Sequence, residues 1–356
     1  MTQAPSARSR AFVGYLAQKL PVVEEALTRT VAHPLAKADG GTADDLERYL
    51  YAPLERFTAS GGKRVRPVLA LLGAEAVCGR AADALSCGVA IELFQSAALI
   101  HDDIADKSEL RRGEPCLYVS EGTGCALNAG DLALARVFEV VLDDESLQPE
   151  RRLRVLGELV RMERHTLEGQ ALDLGWARDE RWDVTSADYL YMVDSKTSWY
   201  SAAIPLRAGA LAAGGSEVAA QGLFELGLAA GAAFQLTDDL LNLVGDPQIQ
   251  GKDFRSDVTE GKRTLAVVWA LEHLASSERA ELVALLGSQT TSAEELARAV
   301  DLIGRGGGLG RCRALARERA DAAAEQSRAL AEAGHITAEA CGLLCSMADF
   351  FVERAD

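Results

Sequence analysis

Apolar residues, chiefly alanine and leucine, recur at steps of three and four through most of this 356-residue chain. A helix brings such positions onto one face, whereas the alternating β-branched or aromatic runs of half-buried strands are scarce here. The pattern therefore predicts an all-α fold. It places helices near residues 8–32, 44–58, 67–79, 82–107, 123–142, 149–175, 186–212, 217–244, 263–274, 276–286, 293–303, 310–333 and 336–353.

Glycine-containing stretches interrupt the helical pattern near residues 40–42, 214–216 and 304–308. None resembles an interdomain linker. The last one lacks the Lys-Ser/Thr of a phosphate-binding loop and follows no strand, so it is interpreted as a flexible helix connection. We expect a flexible polar N-terminus at residues 1–10 and a single all-helical domain over residues 11–356.

The formal net charge of −16 argues against a nucleic-acid partner, which would require a basic face. The polar N-terminus lacks the apolar stretch of a signal peptide, and no uncharged apolar run approaches the ~18 residues of a membrane span. These features predict a cytoplasmic protein without a membrane span. The seven cysteines are scattered and form no paired zinc-binding steps, so we expect free thiols.

The first functional signal is an Asp-rich cluster at the end of a strongly apolar helix: Asp102, Asp103 and Asp106. Spacings of three and four residues allow the three carboxylates to share one helical face. Like charges on one face repel unless a cation lies between them, and hard oxygen ligands suit Mg²⁺ that bridges to phosphates. The adjacent arginines Arg111 and Arg112 could grip such phosphates with bidentate bonds.

A second cluster, Asp238 and Asp239, lies on another apolar helix, with Asn242 where a third Asp would complete the pattern. An amide is a weaker Mg²⁺ ligand, so Asn242 is interpreted as a bystander. The segment that follows carries Lys252 and Lys262 among glycines and acids, which suits a loop that reaches over a phosphate. Two Asp clusters about 136 residues apart, each followed by cations, form a specific pattern.

With these residues in view, the chain resembles the trans-isoprenyl (polyprenyl) diphosphate synthase family. Besides both Asp clusters, it carries Gly61-Gly62-Lys63-Arg64-Val65-Arg66-Pro67, Gly169-Gln170-Ala171-Leu172-Asp173 and Ser195-Lys196-Thr197. These are similar to the family's GGKRxRP, GQxxD and KT signatures. The resemblance implies a helical bundle of the isoprenoid synthase type around a central apolar cavity. It also implies a homodimer and about three Mg²⁺ ions per active site.

The resemblance also implies a role for each matching residue. Isopentenyl diphosphate would be bound by Lys63, Arg66, Gln95 and Arg112. The allylic diphosphate would be held by Arg111, Lys196 and Lys252, and Lys262 would help to close the site. The predicted metal-binding residues are Asp102, Asp103, Asp106, Asp173, Asp238 and Asp239. The predicted catalytic residues are Lys196, Thr197, Gln235, Asp102 and Asp238. No role is assigned to Tyr118, which stands where relatives often carry His.

Product length is expected to depend on the residues that precede Asp102. The fourth and fifth positions before it are Ala98 and Ala97, and these small side chains should admit products longer than fifteen carbons. Phe94 lies one turn deeper. It either faces the cavity and stops growth near twenty carbons, or packs between helices. The predicted product is geranylgeranyl diphosphate, with farnesyl or longer products left open.

Two other functions compete with a synthase that joins isopentenyl diphosphate to an allylic diphosphate. A terpene cyclase would share an Asp-rich cluster, but it needs no site for a second diphosphate, so Lys63, Arg66 and the second cluster argue against it. A non-catalytic subunit of a heteromeric synthase tends to lose its Asp clusters, and this chain keeps both.

Overall fold

The computed structural model describes residues 6–32, 40–247 and 254–353. Lys252 and the first half of the predicted N-terminal tail lie outside these ranges. In chain order the α-helices are α1 Arg10–Val31, α2 Gly41–Leu46, α3 Ala52–Ala59, α4 Val65–Ala76, α5 Leu85–Ala105, α6 Leu117–Glu121, α7 Thr123–Leu142, α8 Pro149–Arg178, α9 Ser186–Val193, α10 Ile204–Ala212, α11 Glu217–Val244, α12 Ser256–Thr259, α13 Leu265–His273, α14 Ser276–Gly287, α15 Ala293–Arg305, α16 Gly308–Glu332 and α17 Ala338–Val352.

The predicted all-α fold is confirmed, and the helices over 123–142 and 217–244 have the predicted bounds. Additional elements are the short helices α6 and α12 and a two-residue antiparallel hairpin of β1 Leu110–Arg111 and β2 Glu114–Pro115. Two predicted helices also contain wider π-helical segments, at Glu47–Tyr51 and Asp194–Ala203. Apolar periodicity could not predict these, because a single π turn shifts the pattern only slightly.

The apolar residues form two contiguous clusters that meet along α11. Leu226 and Ala230 belong to the larger cluster with α4, α5 and α10, whereas Leu236 and Leu240 belong to the smaller one with α13 and α15. Helices α4 and α10 approach closely, because a Cβ at Gly209 would lie 1.9 Å from the carbonyl oxygen of Ala70. This dense packing holds in place the helix backbones that carry the predicted site residues.

The glycine run at 304–308 has a packing role, which corrects the interpretation of a flexible connection. A Cβ at Gly308 would lie 1.9 Å from the carbonyl oxygen of Ala266, and a Cβ at Gly306 would lie 2.7 Å from the Cα of Ala270. The two glycines let the α15–α16 junction pack directly on α13.

Among the described residues, one helical stretch, Ala81–Ala105, is long and apolar enough to span a membrane, with a mean hydropathy of 1.4. In the most apolar 18-residue window of this stretch, however, 72% of the residues are buried inside the protein. It includes α5, which packs against α4 and α7 and carries the first Asp cluster at its C-terminal end. Its apolar character therefore reflects its central place in the core.

Candidate active site

The predicted residues of the second Asp cluster and the Lys-Thr signature converge on one cavity of about 190 Å³. We call it the acidic pocket and define it by the following lining residues: Asp173, Tyr189, Lys196, Thr197, Gln235, Asp238, Asp239, Asn242, Asp257 and Lys262. The side chains come from α8, α9, α11 and the π-helical segment, and from the chain between α11 and α13. Residues distant in sequence thus form a single polar cavity in an apolar core.

In the first Asp cluster, Asp102 and Asp106 lie close to groups of this pocket. Asp102 Oδ1 accepts a hydrogen bond of 2.7 Å from Gln170 Nε2 on α8. Asp106 Oδ2 lies 3.5 Å from the Lys262 ammonium. Burial raises the pKa of Asp106 to about 6, and the neighbouring Asp102 carboxylate adds to the effect while Lys262 opposes it. Excess negative charge at this position would be relieved by a cation.

Asp103 differs from its two neighbours in its burial and in its partner. Its side chain is buried, and Oδ1 accepts a hydrogen bond of 2.7 Å from Arg111 Nε and forms an ion pair with Nη2 at 2.6 Å. The pair joins the end of α5 to the small β hairpin. Asp103 thus holds Arg111 through Oδ1, while its buried Oδ2 has no hydrogen-bond partner within the described residues, and its role as a metal ligand stays a prediction.

The Lys-Thr signature reaches the pocket because the chain widens into a π-helix at Asp194–Ala203. Lys196 Nζ lies 2.5 Å from Asp173 Oδ2 on α8. The close approach requires Gly169, since a Cβ there would lie 2.3 Å from the backbone nitrogen of Lys196. Burial alone would raise the pKa of Asp173, but the ammonium groups of Lys196 and Lys262 hold it below its ordinary value. Asp173 is therefore ionised at neutral pH.

A hydrogen-bond network joins Thr197 to the second Asp cluster. Thr197 Oγ1 donates to Gln235 Oε1 at 3.0 Å, and Gln235 Nε2 donates to Asp239 Oδ1 at 2.8 Å. The hydroxyl of Tyr189 donates to Asp239 Oδ2. Both oxygens of the buried Asp239 thus have protein donors, and its role as a metal ligand stays a prediction. Asp239 holds Gln235 in one orientation, while Asp238 lines the pocket.

Asn242 is not a bystander, which corrects an expectation about this cluster. Its Nδ2 donates to Ser256 Oγ at 3.0 Å, and its Oδ1 accepts from the backbone N–H of Asp257 at 3.2 Å. The amide therefore connects α11 to α12. Asp257 and Tyr189 are pocket residues that sequence reasoning missed; Asp257 carries no signal beyond its position in an acid-rich loop, and Tyr189 sits in an ordinary amphipathic helix.

A second cavity of about 160 Å³ collects the residues predicted to bind isopentenyl diphosphate. We call it the basic pocket; its lining includes Lys63, Arg64, Arg66, Glu92, Gln95, Arg112, Ser201 and Phe234. All four predicted residues (Lys63, Arg66, Gln95 and Arg112) are among them. Arg66 Nη2 donates to Ser201 Oγ at 2.8 Å, and its guanidinium stacks over the ring of Tyr200 at 4.5 Å.

Four cationic side chains line the basic pocket, and Glu92 is the one acid among its lining residues. Arg64, in a left-handed backbone conformation, is buried and pairs with Glu92 and Glu24, each at 2.7 Å. Glu92 is the buried acid of this cavity, and its carboxylate is already paired with Arg64. Burial lowers the pKa of Arg112, and the nearby Arg64 charge lowers it further. Such crowding of cations favours an anionic ligand.

Phe94 packs between helices in this structure, which is one of the two alternatives left open by the sequence. It is buried, and its ring meets Tyr200 edge to face with centroids 5.6 Å apart. Ala97 is also buried, and Ala98 is half-buried on the same helix. The role of Phe94 in product length stays a prediction.

A match to a family model identifies the protein family in which these two pockets occur. The family model described as polyprenyl synthetase matches residues 47–303. The chain belongs to the polyprenyl synthetase family. This confirms the resemblance, the prenyltransferase activity and the isoprenoid synthase fold that the sequence predicted. The matched range contains every site residue that the sequence predicted.

Individual relatives of this polyprenyl synthetase agree with the assignment. It is 39% identical over 302 residues to the short chain isoprenyl diphosphate synthase of Methanothermobacter thermautotrophicus, covering 84% of this chain and 89% of that protein. It is 37% identical to the geranylfarnesyl diphosphate synthase of Aeropyrum pernix, covering 83% and 91%. The solved geranylgeranyl pyrophosphate synthase of Corynebacterium glutamicum, complexed with isoprenyl diphosphate and magnesium, has a TM-score of 0.83 and 30% identity, covering 94% and 99%.

The side chains of this polyprenyl synthetase fit a divalent metal in their donor chemistry. Within the described ranges, no three acidic, His or Cys side chains form a preassembled metal site. Instead, lysines lie beside the carboxylates: Lys262 beside Asp106, and Lys196 beside Asp173. Oxygen donors that stand apart suit Mg²⁺ that keeps several waters and is completed by substrate phosphates, rather than an all-protein cage.

Proposed function

We propose that this prenyltransferase condenses isopentenyl diphosphate with allylic diphosphates head to tail, with geranylgeranyl diphosphate as its main product. The allylic diphosphate lies over the acidic pocket, and isopentenyl diphosphate lies in the basic pocket. Dimethylallyl, geranyl and farnesyl diphosphates serve as successive allylic substrates.

One observation carries this proposal: the two pockets lie back to back on the same two elements. On α11, Phe234 lines the basic pocket and the adjacent Gln235 lines the acidic pocket. On the π-helical segment, Ser201 lines the basic pocket and Thr197, one turn earlier, lines the acidic pocket. Two bound diphosphates would therefore be held on neighbouring residues, which brings their hydrocarbon parts within reach of each other. A terpene cyclase, with one diphosphate, has no use for the second pocket.

The proposed roles follow from the contacts. Asp102, Asp106 and Asp238 hold Mg²⁺, about three ions by analogy with the family, and Asp173 supports them. When bound, Mg²⁺ neutralises the diphosphate of the allylic substrate and stabilises it as a leaving group. Lys196, Lys262 and Arg111 add positive charge on the same side, and Lys252 is proposed to join them. Asp103 and Asp239 are proposed to orient Arg111 and Gln235.

The reaction is balanced without a protein nucleophile. The allylic carbon–oxygen bond breaks and leaves an allylic cation, and the double bond of isopentenyl diphosphate attacks this cation to form the new carbon–carbon bond. The proton lost in the last step passes to the departed diphosphate. Thr197 and Gln235, fixed by their hydrogen bond, line the reacting centre, and the apolar core beneath them excludes water from the cation.

The product length is proposed from the side chains on the side of α5 next to the site. Ala97 and Ala98 leave room for growth beneath Asp102, and Phe94 lies one turn deeper. The relatives include synthases named for farnesyl, geranylgeranyl and geranylfarnesyl products, and the proposed twenty-carbon product lies within that range.

A cytoplasmic homodimer with a single domain over residues 11–356 completes the proposal. Apolar side chains recur at seven-residue steps along the outside of α8, at Leu153, Val160, Leu167 and Leu174, with exposures of 70%, 54%, 63% and 41%. Such a continuous stripe is unusual on a monomer and supports association through α8. Sedimentation tests this: Leu153→Glu together with Leu167→Glu should convert the dimer to a monomer. The control Val218→Glu, at an exposed apolar residue outside the stripe, should leave the dimer intact.

One assay tests the activity. The purified protein is incubated with farnesyl diphosphate, isopentenyl diphosphate and Mg²⁺, and the products are separated by chromatography. Diphosphate release with an elongated product supports the synthase, whereas a hydrocarbon made without isopentenyl diphosphate would indicate a cyclase. No turnover with any allylic primer would indicate a non-catalytic subunit.

A further inference from the structure

The third position of the second Asp cluster makes contacts that a metal ligand would not need. Asn242 uses both atoms of its amide within the protein: Nδ2 donates to Ser256 Oγ, and Oδ1 accepts from the N–H of Asp257. Its backbone carbonyl also accepts from the N–H of Arg255 at 2.8 Å. Three consecutive residues of the chain after α11 are therefore fixed to one residue of α11.

The segment held in this way supplies charged groups to the acidic pocket. Asp257 is the second residue of α12, and its carbonyl accepts from the N–H of Lys262 at 2.8 Å. Lys262 Nζ lies 3.0 Å from Glu260 and 3.5 Å from Asp106 of the first Asp cluster. A continuous chain of contacts thus runs from Asn242 through Asp257 to Lys262 and the first cluster.

We propose that Asn242 is a positioning residue that brackets the Arg255–Asp257 turn and thereby sets Lys262 over the allylic diphosphate. The proposal rests on the proposed function and deepens it. An amide suits the position because it donates to one partner and accepts from the other, which a carboxylate cannot do. The Asn in place of a third Asp is then an adaptation of this chain and not a weakened ligand.

The test compares Asn242→Ala, Ser256→Ala and Ser256→Thr, with Ser277→Ala at the exposed start of α14 as the matched control. Hydrogen exchange of the Asp257 amide is measured without metal or substrate, and KM is measured for each diphosphate. Loss of one hydrogen bond corresponds to about 2- to 10-fold, so Asn242→Ala should speed exchange and raise the KM for the allylic diphosphate by that factor. Ser256→Ala should follow in the same direction, and Ser256→Thr should restore the original values.

The KM for isopentenyl diphosphate should stay unchanged, because the basic pocket is a separate cavity. Unchanged exchange at Asp257 in Asn242→Ala overturns the bracket. So does a Ser256→Ala variant that matches Ser277→Ala in both exchange and KM, since a direct metal ligand would not need Ser256. The exchange experiment requires no turnover, and an unmodified protein without synthase activity would refute the proposed function and leave the exchange result standing.

Discussion

The two Asp-rich clusters follow one plan at their first two positions and differ at the third. In each, the first carboxylate is half-buried beside the site, and the second is buried and held by donors from side chains outside the cluster. Arg111 holds Asp103, whereas the neutral donors Tyr189 and Gln235 hold Asp239. At the third position Asp106 faces Lys262, but Asn242 faces Ser256. Similar spacing thus supports two roles: the first cluster concentrates charge, and the second also organises the chain around it.

The largest predicted effect is the loss of activity when the first Asp of either cluster is replaced. Asp102→Asn and Asp238→Asn should each lower kcat/KM by about 10²- to 10³-fold, the range for loss of one electrostatic group at a reacting centre. Asp102→Asn should be the more severe, because Asp106 beside it would lose a partner in binding Mg²⁺. Turnover is followed at several Mg²⁺ concentrations.

The matched control is Asp143→Asn at the exposed end of α7, which should retain full activity. If Asp238→Asn were the more severe variant, the first cluster would not be the main metal site.

The next predicted effect is on the free energy of unfolding, and it differs between the second Asp residues of the two clusters, Asp103 and Asp239. Asp103→Asn leaves the partly buried Arg111 without its counter-charge, and we expect a loss on the order of 1–3 kcal/mol in the free energy of unfolding. Asp239→Asn should cost about 1 kcal/mol or less, because its donors are neutral: Gln235 can still donate to the amide oxygen, and the Tyr189 hydroxyl can accept from the new amide nitrogen. Burial also raises the pKa of Asp239 to about 6, so a neutral side chain is tolerated there. Denaturant unfolding measures both, and equal losses would contradict the distinction.

The sequence predicted the residues that line the site better than the contacts that hold those residues in place. Lys63, Arg66, Gln95 and Arg112 converge as expected: the first two belong to a recognisable signature, Arg112 follows the first Asp cluster, and Gln95 was implied by the family resemblance. The bracket by Asn242 and the bond from Tyr189 to Asp239 were missed, since each joins residues 14 or 50 positions apart through tertiary packing. Asp103 shows the same limit: helical spacing brings it near Asp106, but only the position of the β hairpin decides that Arg111 binds it.

The helix turns that precede the two clusters also differ, and product length should report the difference. The fourth residue before Asp102 is Ala98, whereas the fourth before Asp238 is Phe234, whose ring meets Phe351 at 5.2 Å. Ala98→Phe makes the two sites alike and should shorten the main product by one isoprene unit. Phe94→Ala should lengthen it if the ring also borders the cavity.

Chromatography of the dephosphorylated products checks both variants, with Phe94→Leu as a control that keeps most of the packing against Tyr200. An unchanged profile for Phe94→Ala would leave this residue with a packing role only. In that case its contact with Tyr200, which lies under Arg66, predicts a higher KM for isopentenyl diphosphate instead.

The smallest predicted effect concerns a buried carboxyl group outside the two clusters. Within the described residues, Glu163 Oε1 on α8 is buried and has no hydrogen-bond partner, and burial raises the pKa of the side chain from 4.5 to about 7. Between these values the native state holds a proton that the unfolded chain has lost, so this group makes stability fall as the pH rises. Glu163→Gln removes the effect, and we expect Tm to rise by roughly 1–3 °C at pH 8 and to change little at pH 4.5. The exposed Glu325→Gln should show no such difference between the two pH values. If Glu163→Gln raised Tm equally at pH 8 and pH 4.5, burial would not destabilise the ionised Glu163 carboxylate. In that case the hydrogen-bond donors at Asp103 and Asp239 would not explain how this fold keeps a buried carboxylate stable.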